Sequence, residues 1–272
     1  MNRRRKKINR IKVIVSAGVA LLLVLIALFA NVIAPNDPYA TSASAIRSAP
    51  SGEFLFGTDN LGRCVFSRVL YGARTTIAAT FVLVAISFIL GSIIGVLSGY
   101  YGGILDEITM RIADIMLAFP QMVVAIAVAG ILGGGLSSAM IALGITMWTG
   151  FARLARSHTF AIKNCPYVQA AKLAGKSGPA IMMAHILPNI IAPLLTNALT
   201  QIGTTMIGIS GLSFLGLGVV PPTAEWGSMI NESRAYIQIA PWAVLYPAIA
   251  TIVTIIVFNY LGDCVMEYRD ED

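Results

Sequence analysis

Chemistry at a protein site needs titratable or ligating side chains held close together, and this chain offers few. Its 272 residues include 13 carboxylates, two histidines (His158 and His185) and three cysteines. Cys64, Cys165 and Cys264 are far apart, odd in number and without a CxxC pair, so they imply neither a disulfide framework nor a zinc site. No His/Asp/Glu grouping has catalytic or metal-ligand spacing, which argues against an enzyme. One stretch imitates nucleotide chemistry: Ala-Ala-Lys-Leu-Ala-Gly-Lys-Ser at 170–177 fits a relaxed phosphate-binding loop. Such a loop follows a strand, cradles phosphates on glycine amides and opens a helix in an α/β domain. Here helix-forming residues precede it and Gly178-Pro179 follow directly. The polar segment around it, about 33 residues, is too short for that domain.

The other polar residues of interest lie inside apolar runs or at their edges. Glu107, Arg111 and Asp114 are spaced four and three apart, so all three share one helix face and read as a structural charge cluster. Pro120 follows and leaves the Met116 carbonyl without its usual donor, which predicts a kink. Asn197, Gln201 and Thr204 recur at i, i+4 and i+7, with Gly208 continuing the stripe. A polar stripe in lipid either lines a path or hydrogen-bonds a neighbouring helix, and both readings stand. Asn259 and Asp263 form a shorter stripe that reads as a helix-end anchor.

The elements that must carry these residues are membrane spans. The chain is 57% hydrophobic and 12% charged with a mean hydropathy of +0.78, against about 25% charged residues in an ordinary soluble domain. Apolar runs long enough to span recur at 13–34, 77–97, 108–132, 136–151, 186–209 and 242–261. The first run follows Arg3, Arg4, Arg5, Lys6 and Lys7, but it is too long for a cleavable signal peptide and reads as an uncleaved helix. Gly133, Gly134 and Gly135 supply a hairpin between the third and fourth runs. The expected fold is an all-α integral membrane protein of six transmembrane helices. The net charge of +6 is a topology signal and no nucleic-acid stripe, because the basic residues sit at helix ends and in short loops. With the N-terminus inside, 14 of the 19 basic residues face the cytoplasm, and Arg47, Arg63, Arg68, Arg74 and Arg234 do not. Both termini are then cytoplasmic. The chain divides into a basic tail (1–12), a first helix (13–34), an outer loop (35–74) and a core (75–272) holding a cytoplasmic loop at 153–185.

Within that loop Asn164 and Pro166 are helix-start signals and Gly175 a stop signal, so a short helix lies between them. Tyr167, Ala170, Ala171 and Ala174 fall on one face, where small side chains let a partner approach closely. Gln169-Ala170-Ala171, Gly175 and Leu187-Pro188 resemble the EAA loop of ABC importer permeases. Gln169 stands where that family often has Glu, and His185 where it has Ile. The resemblance runs from Gly57 nearly to the C-terminus and points to the second permease of the dipeptide, oligopeptide and nickel importers. It rests on Gly57-Thr58-Asp59, Gly62-Arg63, Ser67-Arg68, Gly72 and Arg74, with Cys64 in place of the usual Asp. Further matches are Met110-Arg111-Ile112-Ala113-Asp114, Phe119-Pro120, Leu212-Ser213-Phe214-Leu215-Gly216-Leu217-Gly218, Glu225-Trp226-Gly227, Phe258-Asn259 and Gly262-Asp263.

The resemblance implies a type I ABC importer transmembrane domain in the cell membrane. Its partners would be a homologous second permease, two ABC ATPase subunits and an external solute-binding protein, with lipid around the bundle. ATP and magnesium would sit on the ATPases and no cofactor on this chain. Tyr167, Gln169, Ala170, Ala171, Ala174, Gly175, Leu187 and Pro188 would couple to an ATPase, and Asn197, Gln201, Thr204 and Gly208 are the candidate path. Cargo would be small peptides or nickel, free or chelated; the 222–227 stretch and the short tail look somewhat closer to nickel permeases. The rival reading is a self-sufficient carrier or channel that needs no ATPase.

Overall fold

A chain in lipid can satisfy its backbone polar groups only within helices or a closed barrel. The computed structural model describes residues 3–269 and takes the helical solution; among them there is no strand, only an isolated bridge between Thr58 and Cys64. Helices α1 (Arg3–Leu28) and α2 (Ala30–Ile33) precede an irregular segment that holds one 3-10 turn at Ala43–Ala45. Then come α3 (Val65–Tyr101), α4 (Gly103–Leu117), α5 (Gln121–Ile131) and α6 (Leu136–Ile162). Three short pieces, α7 (Pro166–Leu173), α8 (Gly178–Ile181) and a π-helical turn at Met182–Ile186, lead into α9 (Leu187–Phe214). The chain closes with α10 (Trp226–Ser233), a 3-10 turn at Arg234–Tyr236, and α11 (Trp242–Arg269).

Five of these runs are long and apolar enough to cross a membrane, and the α4–α5 pair makes a sixth if it counts as one broken span. Most helices outlast the apolar runs that announced them. At 37 residues, α3 is about 55 Å long, well beyond the ~30 Å hydrocarbon layer. Much of the 153–185 segment is also helical: α6 continues to Ile162 and the next span starts at Gly178, so α7 alone stands between two helix ends. The basic tail joins α1 from Arg3 onward, while residues 1–2 and 270–272 lie outside the described ones.

The core of the bundle is α3 against α6, the most extensive helix pair in the molecule. Gly91, Gly95 and Gly99 recur every four residues down one side of α3. A Cβ at any of them would fall within 3 Å of the carbonyl oxygens of Trp148, Ala152 and Arg156 respectively. Bare glycine therefore lets two backbones touch, which is how helices associate in lipid, where no hydrophobic force distinguishes neighbour from solvent. The sequence reading passed over this triplet. An ion pair of Arg156 with Asp106, to which Ser98 also donates, fixes the adjoining start of α4.

The third apolar run does not kink; it breaks. α4 and α5 meet at 87° across Pro120, because proline lacks the donor and also pushes its predecessor out of the helical region. The amides of Val123 and Val124 both turn to the Pro120 carbonyl and restart the helix.

The irregular segments at the other end of the bundle are locked by buried charge. Asp59, Arg63 and Arg68 are almost wholly buried. Arg63 Nε lies 2.6 Å from Asp59 and its other arm pairs with Glu232, while Arg68 reaches Asp59 at 3.5 Å and Glu232 at 3.4 Å. Arg68 also donates to the Pro222 carbonyl at 3.2 Å. Two cations and two anions cancel, which is the condition for burying them. The Trp242 indole donates to the Thr58 carbonyl at 3.0 Å and ties the start of α11 to the same loop.

Candidate functional site

Helix α7 begins and ends on its own local chemistry. Pro166 sits in its first turn, preset for helical φ. The cap is Cys165, one residue past the expected Asn164, and its carbonyl accepts the amides of Val168 and Gln169. At the far end Lys176 N–H bonds to Ala171 O and Gly175 N–H to Lys172 O, a Schellman closure. Gly175 has φ +79° and open space where a Cβ would be, so backbone conformation, not packing, selects glycine there.

The structure divides the predicted face of this helix. Val168 and Ala171 are buried against the bundle with Ile181, Ile186 and Ile190. Tyr167, Ala170 and Ala174 are exposed, and beside them Leu173 is 88% exposed, a large apolar side chain with nothing over it. Ala171 therefore belongs to the anchoring side, and the free face is Tyr167, Ala170, Leu173 and Ala174. Gln169 turns back toward α6, where its Nε2 donates to the Lys163 carbonyl at 3.1 Å. Leu187 packs on the buried cluster and Pro188 lies outside it. The π-helical turn just before accommodates that proline: Leu187 N–H reaches back to Met182 O, and Asn189 takes up the His185 carbonyl at 2.6 Å.

The polar stripe on α9 opens onto a cavity of about 360 Å³. Gln201, Thr204 and Gly208 line it; Asn197, a turn nearer α7, does not. Opposite them stand Gln121 and Met122 at the start of α5, and Met147 on α6. The Thr204 hydroxyl donates to Gln201 Oε1 at 3.0 Å, and among the described residues nothing accepts from the Gln201 amide N–H groups. No lining residue ionises. The break at Pro120 creates this site by swinging α5 across, and that geometry is why the sequence named only one wall.

The charge cluster is divided between two ion pairs. Arg111 and Glu107 are 4.0 Å apart and largely exposed, a pairing of little energetic value. Asp114 turns from Arg111 and pairs with Arg153 of α6 instead, so it ties the broken span to the core pair. Asn259 lies against Gly203 and Gly262 against Thr200, which packs α11 onto α9. Among the described residues no group of three or more His, Cys, Asp or Glu could hold a metal.

Sequence reading gave no role to Glu225, which is fully buried as the N-cap of α10. Its carboxylate accepts Ser228 N–H at 2.8 Å, Ser210 Oγ–H at 3.1 Å and Thr76 Oγ1–H at 3.2 Å, joining α3, α9 and α10.

A helical bundle with one short free-faced helix at its end and an uncharged half-open cavity in its flank has the build of a transport subunit. The chain belongs to the family of binding-protein-dependent transport system inner membrane components, whose sequence profile matches residues 91–271. It is 40% identical over 247 residues to the dipeptide transport system permease protein DppC of Alkalihalophilus pseudofirmus, covering 91% of this chain and 81% of that protein. It is also 40% identical over 251 residues to the glutathione transport system permease protein GsiD of Escherichia coli, covering 92% and 83%. In fold it is similar to a chain of the inward-facing MetNI methionine ABC transporter, with a TM-score of 0.55 at 18% identity over 74% of this chain and 97% of that one. The transmembrane fold is thus of the type I ABC importer kind, and the chain is an inner-membrane permease component, not a catalytic subunit.

Proposed function

We propose that this importer permease forms half of a translocation path for small peptides, driven by ATPase subunits that grip α7. The observation that carries the docking role is the free face of α7, where Tyr167, Ala170 and Leu173 are exposed at the end of a bundle already longer than a bilayer. Exposed apolar surface beyond the lipid calls for a protein partner. The clustering of Arg153, Arg156, Lys163, Lys172 and Lys176 at this end argues that it faces the cytoplasm. A second, homologous permease supplies the other wall of the cavity, and an external binding protein delivers cargo at the end that bears α10. ATP and magnesium belong to the ATPases. Their closure draws α7 along, and the bundle switches because ATP favours one of its two arrangements.

Support for peptide cargo comes from the cavity and from the relatives named for dipeptide and glutathione transport. Amides, hydroxyls and thioethers suit peptide bonds and varied side chains, since methionine adapts its shape. A bare divalent nickel ion would find neither carboxylate nor imidazole in this wall. Uptake by the reconstituted transporter decides the cargo: ATP-dependent accumulation of labelled dipeptides is expected, and accumulation of nickel with none of peptide contradicts it. The self-sufficient carrier predicts uptake by this permease without any ATPase subunit.

A further inference from the structure

Two recesses meet along the seam between α3 and α8. The first is an apolar groove of about 210 Å³, walled by Ile93, Val96 and Leu97 of α3 and by Pro179 and Met183 across from them. Ile93, Leu97 and Met183 are exposed, so the groove is open along the flank of the bundle. The second is a pocket of about 480 Å³ whose walls carry Tyr100, Tyr101, Lys163, Asn164 and Lys172. Tyr100 and Tyr101 follow Val96 and Leu97 by one turn on the same side of α3. Two neighbours on α8 divide in the same way, Pro179 to the groove and Gly178 to the pocket, and a Cβ on Gly178 would meet both tyrosine rings at 3.2 Å. The apolar run of α3 ends at Leu97. The groove therefore lies within the hydrocarbon layer and the pocket just outside it, at the depth where tyrosine settles.

The pocket is positive. No carboxylate lines it. Lys163 gives its ammonium to the Gly99 carbonyl at 2.9 Å and lies over the Phe160 ring, while Lys172 is exposed. Among the described residues neither lysine has an acidic partner, and Asp106 at the start of α4 is already held by Arg156. Two ammonium groups in one recess without a counter-charge draw an anion. Val168 and Lys172 border the pocket from the side of α7 away from Tyr167, Ala170 and Ala174, so a partner on the free face leaves it open to the membrane surface.

We propose that this seam binds one anionic phospholipid of the leaflet on the α7 side, with its headgroup in the pocket, Lys163 and Lys172 as counter-charge, and an acyl chain along the groove. A free phosphate would use the pocket alone, and a neutral lipid would gain only the groove. An anionic phospholipid uses both, each at the depth its own two halves occupy, and basic pockets between membrane helices select such headgroups.

The test titrates the assembled transporter, purified in detergent, with phosphatidylglycerol and with phosphatidylcholine of the same chains. Bound lipid is counted on this permease as it leaves the complex in a native mass spectrometer. One saturable phosphatidylglycerol site is expected, with an affinity at least about fivefold above that of phosphatidylcholine, the contribution of one lysine near a charged surface. Lys172→Gln should remove about that factor from phosphatidylglycerol alone. Lys12→Gln, on α1 where the native lysine pairs with Glu267, changes net charge equally and should leave the affinity unaltered. Met183→Trp fills the groove from an exposed position and should weaken both lipids. Equal affinity for the two lipids overturns the proposal, as do equal losses in K12Q and K172Q, which would make the attraction diffuse. Displacement of phosphatidylglycerol by millimolar inorganic phosphate would make the pocket a free-phosphate site and overturns it too. So does binding by the permease alone that the assembled transporter lacks, which would put another subunit over the seam.

Discussion

Two buried acidic arrangements at the α10 end are built differently and should fail differently. Asp59 and Glu232 serve Arg63 and Arg68, so removing one carboxylate leaves two buried cations facing a single anion. Asp59→Ala is expected to lower stability by about 3–5 kcal/mol, read as a drop in the detergent-unfolding midpoint; an unchanged midpoint would show that the network contributes nothing. Among the described residues Glu225 has only neutral donors around it. Glu225→Gln keeps the shape and an acceptor oxygen, whereas Glu225→Leu strands the Ser228 amide and both hydroxyls at about 1–3 kcal/mol. The same unfolding assay should therefore rank Leu well below Gln. In the cavity, Gln201→Lys adds the first fixed charge to a neutral wall. Uptake of lysine-bearing dipeptides should fall several-fold more than uptake of neutral ones, and an equal loss for both would place Gln201 outside the path.

At the scale of elements, α3 against α6 is the most extensive helix contact, and glycine brings the two backbones together there. Gly95→Leu puts a side chain where the Ala152 carbonyl lies, and the helices must separate. The expected result is loss of folded protein from the membrane, while Gly144→Ala, which would meet only the Leu83 side chain at 3.2 Å, should be tolerated; membrane yield compares the two. The existence and limits of α7 were legible because Pro166 and Gly175 act locally. Its orientation was not: alanines at 170, 171 and 174 give no preference for either side, so tertiary packing of Val168 and exposure of Leu173 decided it. Charge spacing misled for the same reason, since Asp114 had a better partner in Arg153 on another helix. Pro120 was visible as a disturbance, but whether a proline bends a helix or breaks it depends on what receives the second half. Ala125 and Ala129, fully buried, provide that seat against the bundle. The glycine triplet needed only a four-residue periodicity search and was there to be found.

Across the whole molecule, the sequence specified six apolar runs and their alternation, because lipid imposes a length and a composition that pattern alone reveals. The cavity was half visible: Gln201, Thr204 and Gly208 sit on one regular helix, whereas Gln121 and Met147 join them only through the fold. The docking role requires the free face of α7 to lie inside the cell and to be covered by an ATPase. Leu173→Cys in a Cys165→Ser background reports on this directly, since Cys64 and Cys264 are buried. A membrane-impermeant maleimide should leave it unlabelled in intact cells, label it in inside-out vesicles stripped of ATPase, and lose that labelling when the ATPase subunits are restored. Labelling in intact cells, or labelling that restored ATPase subunits do not block, contradicts the account.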